Sequence, residues 1–115
     1  MVHGGWCDPI DEYLTEPDES YFCRLRGRHF VSGHVHVQRE LRLGDKTYCN
    51  PGSVGQPRDD DPGAAFATFD GDRFHLHRAE YDIGTVGRLM EEAGFSGYYY
   101  GGLQTGAKNL QWAKE

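Results

Sequence analysis

The segment Val31-Ser32-Gly33-His34-Val35-His36-Val37 decides the fold of this chain, because it joins a short apolar run to two histidines. If the segment is extended, alternate side chains share a face, and His34 and His36 project from the same side about 7 Å apart. Neutral imidazole is the commonest protein ligand for transition metals. Gly33 lets the backbone turn closely into such a site. The segment therefore predicts a strand end with a metal-binding pair; two polar residues on the solvent face of a strand are the alternative.

The size and charge of the chain exclude several classes of protein. Its 115 residues allow at most one domain, and 37% hydrophobic with 26% charged residues is typical of a globular protein. The net charge of -6 argues against binding to a nucleic-acid backbone. The basic cluster Arg24-Leu25-Arg26-Gly27-Arg28 is interpreted as a solvated helix end. A nucleic-acid partner is therefore not expected.

Membrane and secretion signals are also absent from the sequence pattern. No apolar run approaches the roughly 20 residues that span a bilayer, and the first residues lack a signal-peptide pattern. Cys7, Cys23 and Cys49 are odd in number and form no Cys-x-x-Cys motif. Reduced thiols and a cytoplasmic location are the expectation.

Hydrophobic periodicity and turn residues predict two β-hairpins and two helices. Gly44-Asp45 and Gly71-Asp72 are predicted hairpin turns, and Gly94 is a predicted helix end. Asp18 or Ser20 is a predicted helix cap. The predicted strands are His29–Ser32, Val37–Leu43, Lys46–Cys49, Ala64–Asp70 and Arg73–Arg78, and the predicted helices are Tyr21–Arg26 and Ile83–Ala93.

Three segments at predicted strand ends carry candidate metal chemistry. His3 follows what looks like the end of a first strand. His34 and His36 follow a second predicted strand, and the loop from Asn50 to Arg58 follows a third. Ligand sites of open α/β sheets lie at such strand ends. No carboxylate accompanies the histidines, and three imidazoles suit Zn²⁺ or Ni²⁺ better than Mn²⁺ or Mg²⁺.

The same three segments carry a family resemblance. Val2-His3-Gly4, Gly33-His34-Val35-His36 and Asn50-Pro51-Gly52-Ser53-Val54-Gly55-Gln56-Pro57-Arg58 resemble, in this order, the second half of a calcineurin-like metallophosphoesterase. The likeness is closest to the small bacterial and archaeal phosphodiesterases. It implies an α/β (α+β) chain, the C-terminal half of a four-layer α/β/β/α sandwich, made mostly of β-hairpins with one or two helices. Residues 1–94 would be a partial domain, and 95–115 an extension or tail, disordered at its end.

The resemblance also implies a dinuclear metal site. By position, His3 and His34 would ligate the second metal and His36 the first. Asn50, Gly52, Ser53 and Arg58 are candidate substrate-binding residues, with a solvated loop as the alternative for Arg58 and a turn role for Ser53. The complete enzyme would hold two divalent ions (Mn, Fe, Ni or Zn), this chain one or none, and a small phosphoester would be the substrate. A metal-bound water would attack phosphorus.

The family's other motifs are not found in this sequence. Asp-x-His, Gly-Asp-x-x-Asp and Gly-Asn-His are absent, and Gly44-Asp45 and Gly71-Asp72 lack the second aspartate. The expectation is therefore a C-terminal portion of a phosphoesterase without autonomous activity and without catalytic residues of its own. Its carboxylates would come from an N-terminal half or from a partner.

Two other hypotheses remain open from the sequence. One is a catalytically silent remnant that acts as a binding or oligomerisation module, because exposed faces of half a sandwich favour self-association. The other is a mononuclear zinc protein that uses His3, His34 and His36. His75 and His77 repeat the i, i+2 spacing, but alternation with Phe74 and Leu76 places them on the solvent face of a hairpin.

Overall fold

The computed structural model describes residues 1–106, which form two small sheets and three helices. Two β-hairpins supply most of the regular structure, as predicted, and one of the three helices is longer than a single turn. The elements are α1 (Glu19–Phe22), β1 (His29–Val31), β2 (Arg39–Leu43), β3 (Lys46–Asn50), β4 (Ala64–Phe69), β5 (Phe74–Ala79), α2 (Ile83–Glu92) and α3 (Gly97–Tyr100).

The first sheet has the strand order β1-β3-β2. β1 runs parallel to β3, with Phe30 opposite Tyr48, and β2 pairs antiparallel with β3. Gly44, at φ +67°, makes the hairpin turn that the sequence predicts. β2 begins at Arg39 rather than at Val37, because the preceding backbone is not extended.

The hairpin β4–β5 forms the second sheet, with the predicted turn at Gly71 (φ +98°). His75 is exposed as predicted and contacts the Asp70 carboxylate at 2.8 Å. His77 is half-buried, because its ring stacks on Phe66 from the neighbouring strand. Neither of these two histidines contributes to the histidine cluster near β1.

Gln38 and Arg78 connect the two sheets. The Gln38 Nε2 donates hydrogen bonds to the carbonyls of Phe66 (3.1 Å) and His77 (2.9 Å), and its Oε1 accepts from Arg78 Nε (3.1 Å). The Arg78 guanidinium also pairs with the Asp59 carboxylate. The loop that follows β3 is thereby fixed against the second hairpin.

The core lies under α1 and the first sheet. Leu14, Phe22, Phe30 and Tyr48 are buried there, and Trp6 packs against them with its ring edge-on. Asp18 caps α1 as predicted, by accepting from the backbone N–H of Tyr21.

α1 is shorter than the predicted helix Tyr21–Arg26. It ends at Phe22, where the N–H of Leu25 and the ammonium of Lys46 both bind the Phe22 carbonyl. These bonds close a turn in place of the next helical turn, so the prediction was wrong by about one turn at this end.

The three cysteines are unpaired. Cys7 and Cys23 are exposed, whereas Cys49 is buried in β3. Burial raises the pKa of the Cys49 thiol to about 11, and the Glu40 carboxylate adds to the shift. Cys49 therefore acts as a small apolar core residue.

α2 begins at its Asp82 cap and is followed by Gly94 at φ +92°, as predicted. Beyond it, Leu103 is buried, and the Gly106 carbonyl accepts a hydrogen bond from the N–H of Asp60. The described part of the 95–115 segment thus packs on the body of the protein. The domain division at residue 94 stays a prediction, and the disorder expected in the last residues lies outside the described residues.

Within residues 1–106, none of the helices has the length and apolar character needed to cross a bilayer.

Candidate metal centre

The histidine segment leaves β1 as a tight turn, not as an extended strand. The N–H of Val35 donates to the Gly33 carbonyl at 2.8 Å, which closes a three-residue turn around His34 at φ +70°. This hydrogen bond and φ are those of the γ-turn with positive φ at its central residue, which is the rarer and more strained of the two γ-turn types. His36 is also left-handed, at φ +61°. The predicted alternation of side chains along a strand is therefore wrong for this segment.

His3 and His34 are brought together by this turn. The N–H of Gly33 donates to the His3 carbonyl at 2.9 Å, so the two backbones run side by side. The His3 Nε2 lies 2.9 Å from the His34 Nδ1. With metal–nitrogen bonds of about 2.0–2.1 Å, two ligands at a right angle would be about 2.9 Å apart, and two tetrahedral ligands about 3.3 Å. The observed 2.9 Å is the length of a hydrogen bond between the two rings, and it also matches the spacing of two ligands of one ion at a right angle.

Tyr13 covers the other side of this pair. Its ring centroid lies 4.1 Å from that of His34, with an interplanar angle of 32°. The loop before it is held by Glu12, whose carboxylate accepts from the N–H of Cys7 (3.0 Å) and from the Tyr21 hydroxyl (2.7 Å). Burial and the bond to Glu12 raise the pKa of Tyr21 to about 12. No motif surrounds Tyr13 in the sequence, so its contact with His34 was not predicted.

His36 is half-buried and has a separate anchor. Its Nδ1–H donates to the Gln56 carbonyl at 2.8 Å, which leaves Nε2 as the nitrogen with a free lone pair. Burial lowers the pKa of the His36 imidazole, the bond to Gln56 opposes this shift, and the nearby charge of Arg58 lowers the pKa further. His36 is thus kept in the neutral form that ligates metals.

The end of β3 and the loop after it contact the histidine segment from the interior of the protein. Asn50 is 1% exposed; its Nδ2 donates to the Gly33 carbonyl (3.1 Å), and its Oδ1 accepts from the N–H of Gly52 (2.9 Å). Ser53 Oγ accepts from the N–H of Gln56 (2.9 Å), which is the turn role considered for it. The structure therefore places Asn50 against the turn around His34. Gly52 and Ser53 lie instead against the second hairpin, where the Ser53 carbonyl accepts from the N–H of Ala65 at 3.0 Å.

Arg58 lies at the end of the same loop. Its N–H donates to the His36 carbonyl at 2.9 Å, and its side chain contacts the Gln56 amide oxygen at 3.4 Å. Tyr98 and Leu103 line a small cleft with it, so the segment after α2 reaches the candidate site. The sequence showed no pattern that predicted this contact.

The acidic residues nearest in sequence are engaged elsewhere. Asp59 and Asp61 contact the Arg78 guanidinium. Across residues 1–106, no group of three or more His, Cys, Asp or Glu side chains is placed to hold an ion. The contact of His3 with His34 therefore brings together only two candidate donors, fewer than a protein metal site uses.

No protein-family model and no curated protein matches the chain. Among solved structures, it is similar to a metallophosphoesterase from Sphaerobacter thermophilus, with a TM-score of 0.81 and 31% identity over 92% of this chain and 54% of that one. It is also similar in fold to a hypothetical protein from Pyrococcus horikoshii OT3, with a TM-score of 0.77 and 19% identity over 94% of this chain and 46% of that one. The chain thus spans about half the length of both proteins.

Proposed function

Because this chain has the fold of about half of a metallophosphoesterase, consistent with the C-terminal half, we propose that it supplies the histidine side of a metal-dependent phosphoesterase centre. The observation that carries the proposal is the convergence of His3 Nε2 and His34 Nδ1, 2.9 Å apart, within that fold. The reaction is hydrolysis of a small phosphomonoester or phosphodiester. The three unpaired cysteines favour a cytoplasmic location.

The residues present fit one half of a two-metal centre. His3 and His34 would hold one ion of the Mn, Fe, Ni or Zn type, and the free Nε2 of His36 would hold the other. When bound, such ions lower the pKa of a coordinated water and neutralise charge on phosphoryl oxygens. The oxygen donors of the centre come from outside this chain, from an N-terminal half or from a partner.

Arg58 is the loop residue that best supports substrate binding. Its backbone N–H donates to the His36 carbonyl at 2.9 Å, so Arg58 is held next to a proposed ligand. A guanidinium in that position would bind a phosphoryl oxygen in a chain that is otherwise acidic, with a net charge of -6. Asn50, Gly52 and Ser53 act in this proposal by shaping the loop that presents Arg58.

Zinc binding tests the half-site. We expect isothermal titration of the chain to show one Zn²⁺ site that His34→Ala weakens by at least 10-fold, because one of two converging imidazoles is lost. His75→Ala is the matched control, since His75 is exposed and bonded to Asp70. Equal zinc binding by the two variants would contradict the proposal.

The need for outside carboxylates is tested by activity of the same samples. The isolated chain with Mn²⁺ should turn over bis-p-nitrophenyl phosphate negligibly. When a separately produced N-terminal half of the Sphaerobacter thermophilus relative is added, the chain should hydrolyse the substrate. The His34→Ala variant, mixed with the same half, should hydrolyse it much more slowly. Robust hydrolysis by the isolated chain, lost in His34→Ala, would show that it needs no outside donors.

The hairpin β4–β5 favours a second candidate function, self-association through an apolar surface. Phe69 and Leu76 share one face of the hairpin and are 46% and 39% exposed. Exposed apolar patches of this kind mark interaction surfaces. We propose a second copy of the chain as the occupant.

Sedimentation velocity tests this second candidate. We expect the chain to sediment as a dimer at micromolar concentration, and Leu76→Lys to shift it to the monomer. Thr68→Lys, a polar exposed position on the other face of the hairpin, should leave the dimer intact. A monomer at all concentrations would exclude self-association.

A further inference from the structure

A single buried amide connects the two loops of the candidate metal centre. Asn50 is the last residue of β3, and its side chain is 1% exposed. Its Nδ2 donates to the Gly33 carbonyl in the histidine turn, and its Oδ1 accepts from the N–H of Gly52 in the following loop. Only a side chain with both a donor and an acceptor can make this pair of bonds.

Gly33 is the residue through which this connection reaches the proposed ligands. Its N–H donates to the His3 carbonyl at 2.9 Å, and its carbonyl accepts from the N–H of Val35 at 2.8 Å, on the far side of His34. The N–H belongs to the Ser32–Gly33 peptide group and the carbonyl to the Gly33–His34 peptide group, so Gly33 links the backbone of His3 to the turn around His34. Asn50 restrains the second of these, the Gly33–His34 peptide group, from the interior by donating to its carbonyl.

The turn needs such a support, because His34 has a φ of +70°. A non-glycine residue in this region persists only where the surrounding structure holds it. Tyr13 restrains the ring of His34 from the surface, but it is 63% exposed and acts on the side chain alone. Asn50 adds a side-chain restraint to the backbone hydrogen bonds that Gly33 and Val35 make in this turn.

We propose that Asn50 is a positioning residue for the candidate metal centre, and that its amide holds the Gly33–His34 peptide group so that His34 Nδ1 faces the same ion as His3 Nε2. This inference rests on the proposed function for the identity of the ligand. It gives Asn50 a role that does not involve contact with substrate, unlike the role expected from the sequence. The proposed role depends on the Asn50 Nδ2 donor, which binds the Gly33 carbonyl, and not on the Oδ1 acceptor.

Asn50→Asp is the sharpest variant, because it keeps an acceptor for Gly52 and removes the donor to Gly33. The control is Cys49→Ala, which alters the adjacent buried residue of β3 without removing a hydrogen bond to Gly33. The first measurement needs no metal: hydrogen exchange of the Gly33 and Val35 amides, followed by NMR. Asn50→Asp should speed exchange of these two amides at least 10-fold relative to those of β4–β5, and Cys49→Ala should not.

The second measurement is titration with Co²⁺ alone, followed by its visible absorption. We expect Asn50→Asp to bind Co²⁺ about 10-fold to 100-fold more weakly than the unaltered chain, and Cys49→Ala to bind within 2-fold of it. If Asn50→Asp does not fold by circular dichroism, Asn50→Ser replaces it, because a hydroxyl can reach at most one of the two loops.

The outcomes separate this inference from the proposed function. An unaltered chain that binds no Co²⁺ overturns the proposed half-site, and the amide exchange alone then decides the role of Asn50. Amide exchange and Co²⁺ affinity that match those of Cys49→Ala would overturn the positioning role, whether or not the chain binds metal. Faster exchange at Gly33 and Val35 with weakened Co²⁺ binding would support it.

Discussion

Replacing Gly52 with alanine is expected to lower the free energy of unfolding by roughly 2–4 kcal/mol, the largest effect of a single added methyl group in this loop. A Cβ at this position would lie 2.7 Å from the Ala65 Cβ and 3.0 Å from the Gln38 Cβ. Gly52 also has a φ of +84°, a conformation that costs an L-residue energy in addition to the overlap. The overlap would separate the loop after β3 from the second hairpin.

Gly55→Ala is the matched control for this prediction. It adds the same methyl group three residues later in the same loop, where no atom lies within 4 Å of the new Cβ. Urea unfolding of the two variants should give a large decrease for Gly52→Ala and a change within about 0.5 kcal/mol for Gly55→Ala. Equal stabilities would mean that the loop does not approach Ala65 as closely as described.

Replacing His34 with glycine is expected to give a protein that binds Zn²⁺ no better than His34→Ala but is more stable than it by about 1–2 kcal/mol. Both variants lose the contacts of the imidazole with His3 and Tyr13. They differ in the backbone, because glycine adopts a φ of +70° without strain and alanine does not. Urea unfolding and zinc titration of the same samples measure the two effects.

The same pair of substitutions at His75 provides the control. His75 lies in β5, where the backbone is extended, so glycine should be less stable than alanine there by about 0.5–1 kcal/mol. The order of stability of the two variants should therefore reverse between the two positions. An alanine variant as stable as the glycine variant at position 34 would contradict the left-handed turn.

The hairpins could be predicted from sequence because the residues that determine each of them are close together in the chain. Gly44 and Gly71 have positive φ at the turns, and the strands on either side alternate over a few residues. Helix α2 was predicted for the same reason, since its apolar spacing and the glycine after it lie within one segment. Where neighbours in sequence decide the conformation, the residue pattern was sufficient.

The geometry of the candidate site could not be predicted in the same way. Histidine has no preference for left-handed backbone strong enough to predict φ of +70° at His34. The turn is set by hydrogen bonds from Gly33 to His3 and from Asn50 to Gly33, across 30 and 17 residues of sequence. The motif thus indicated which histidines meet, and tertiary contacts decided how they meet.

The contact of Tyr13 with His34 shows the same limit. An aromatic residue in an irregular loop gives no periodic signal, and its position depends on how Glu12 closes that loop. The approach of Tyr98 and Leu103 to Arg58 likewise depends on where α2 ends in space. Such contacts follow from packing of distant segments, which a single sequence does not encode in a readable pattern.

The parallel pairing of β1 with β3 makes the candidate site dependent on the register of the sheet. The histidine turn leaves the end of β1 and Asn50 ends β3, so the two halves of the site emerge from neighbouring strands at one edge. A slip of one residue between these strands would shift them by about 3.3 Å and turn alternate side chains to the opposite face. The pairing of Phe30 with Tyr48 in the core therefore determines how the turn around His34 and Asn50 are placed relative to each other in the candidate site.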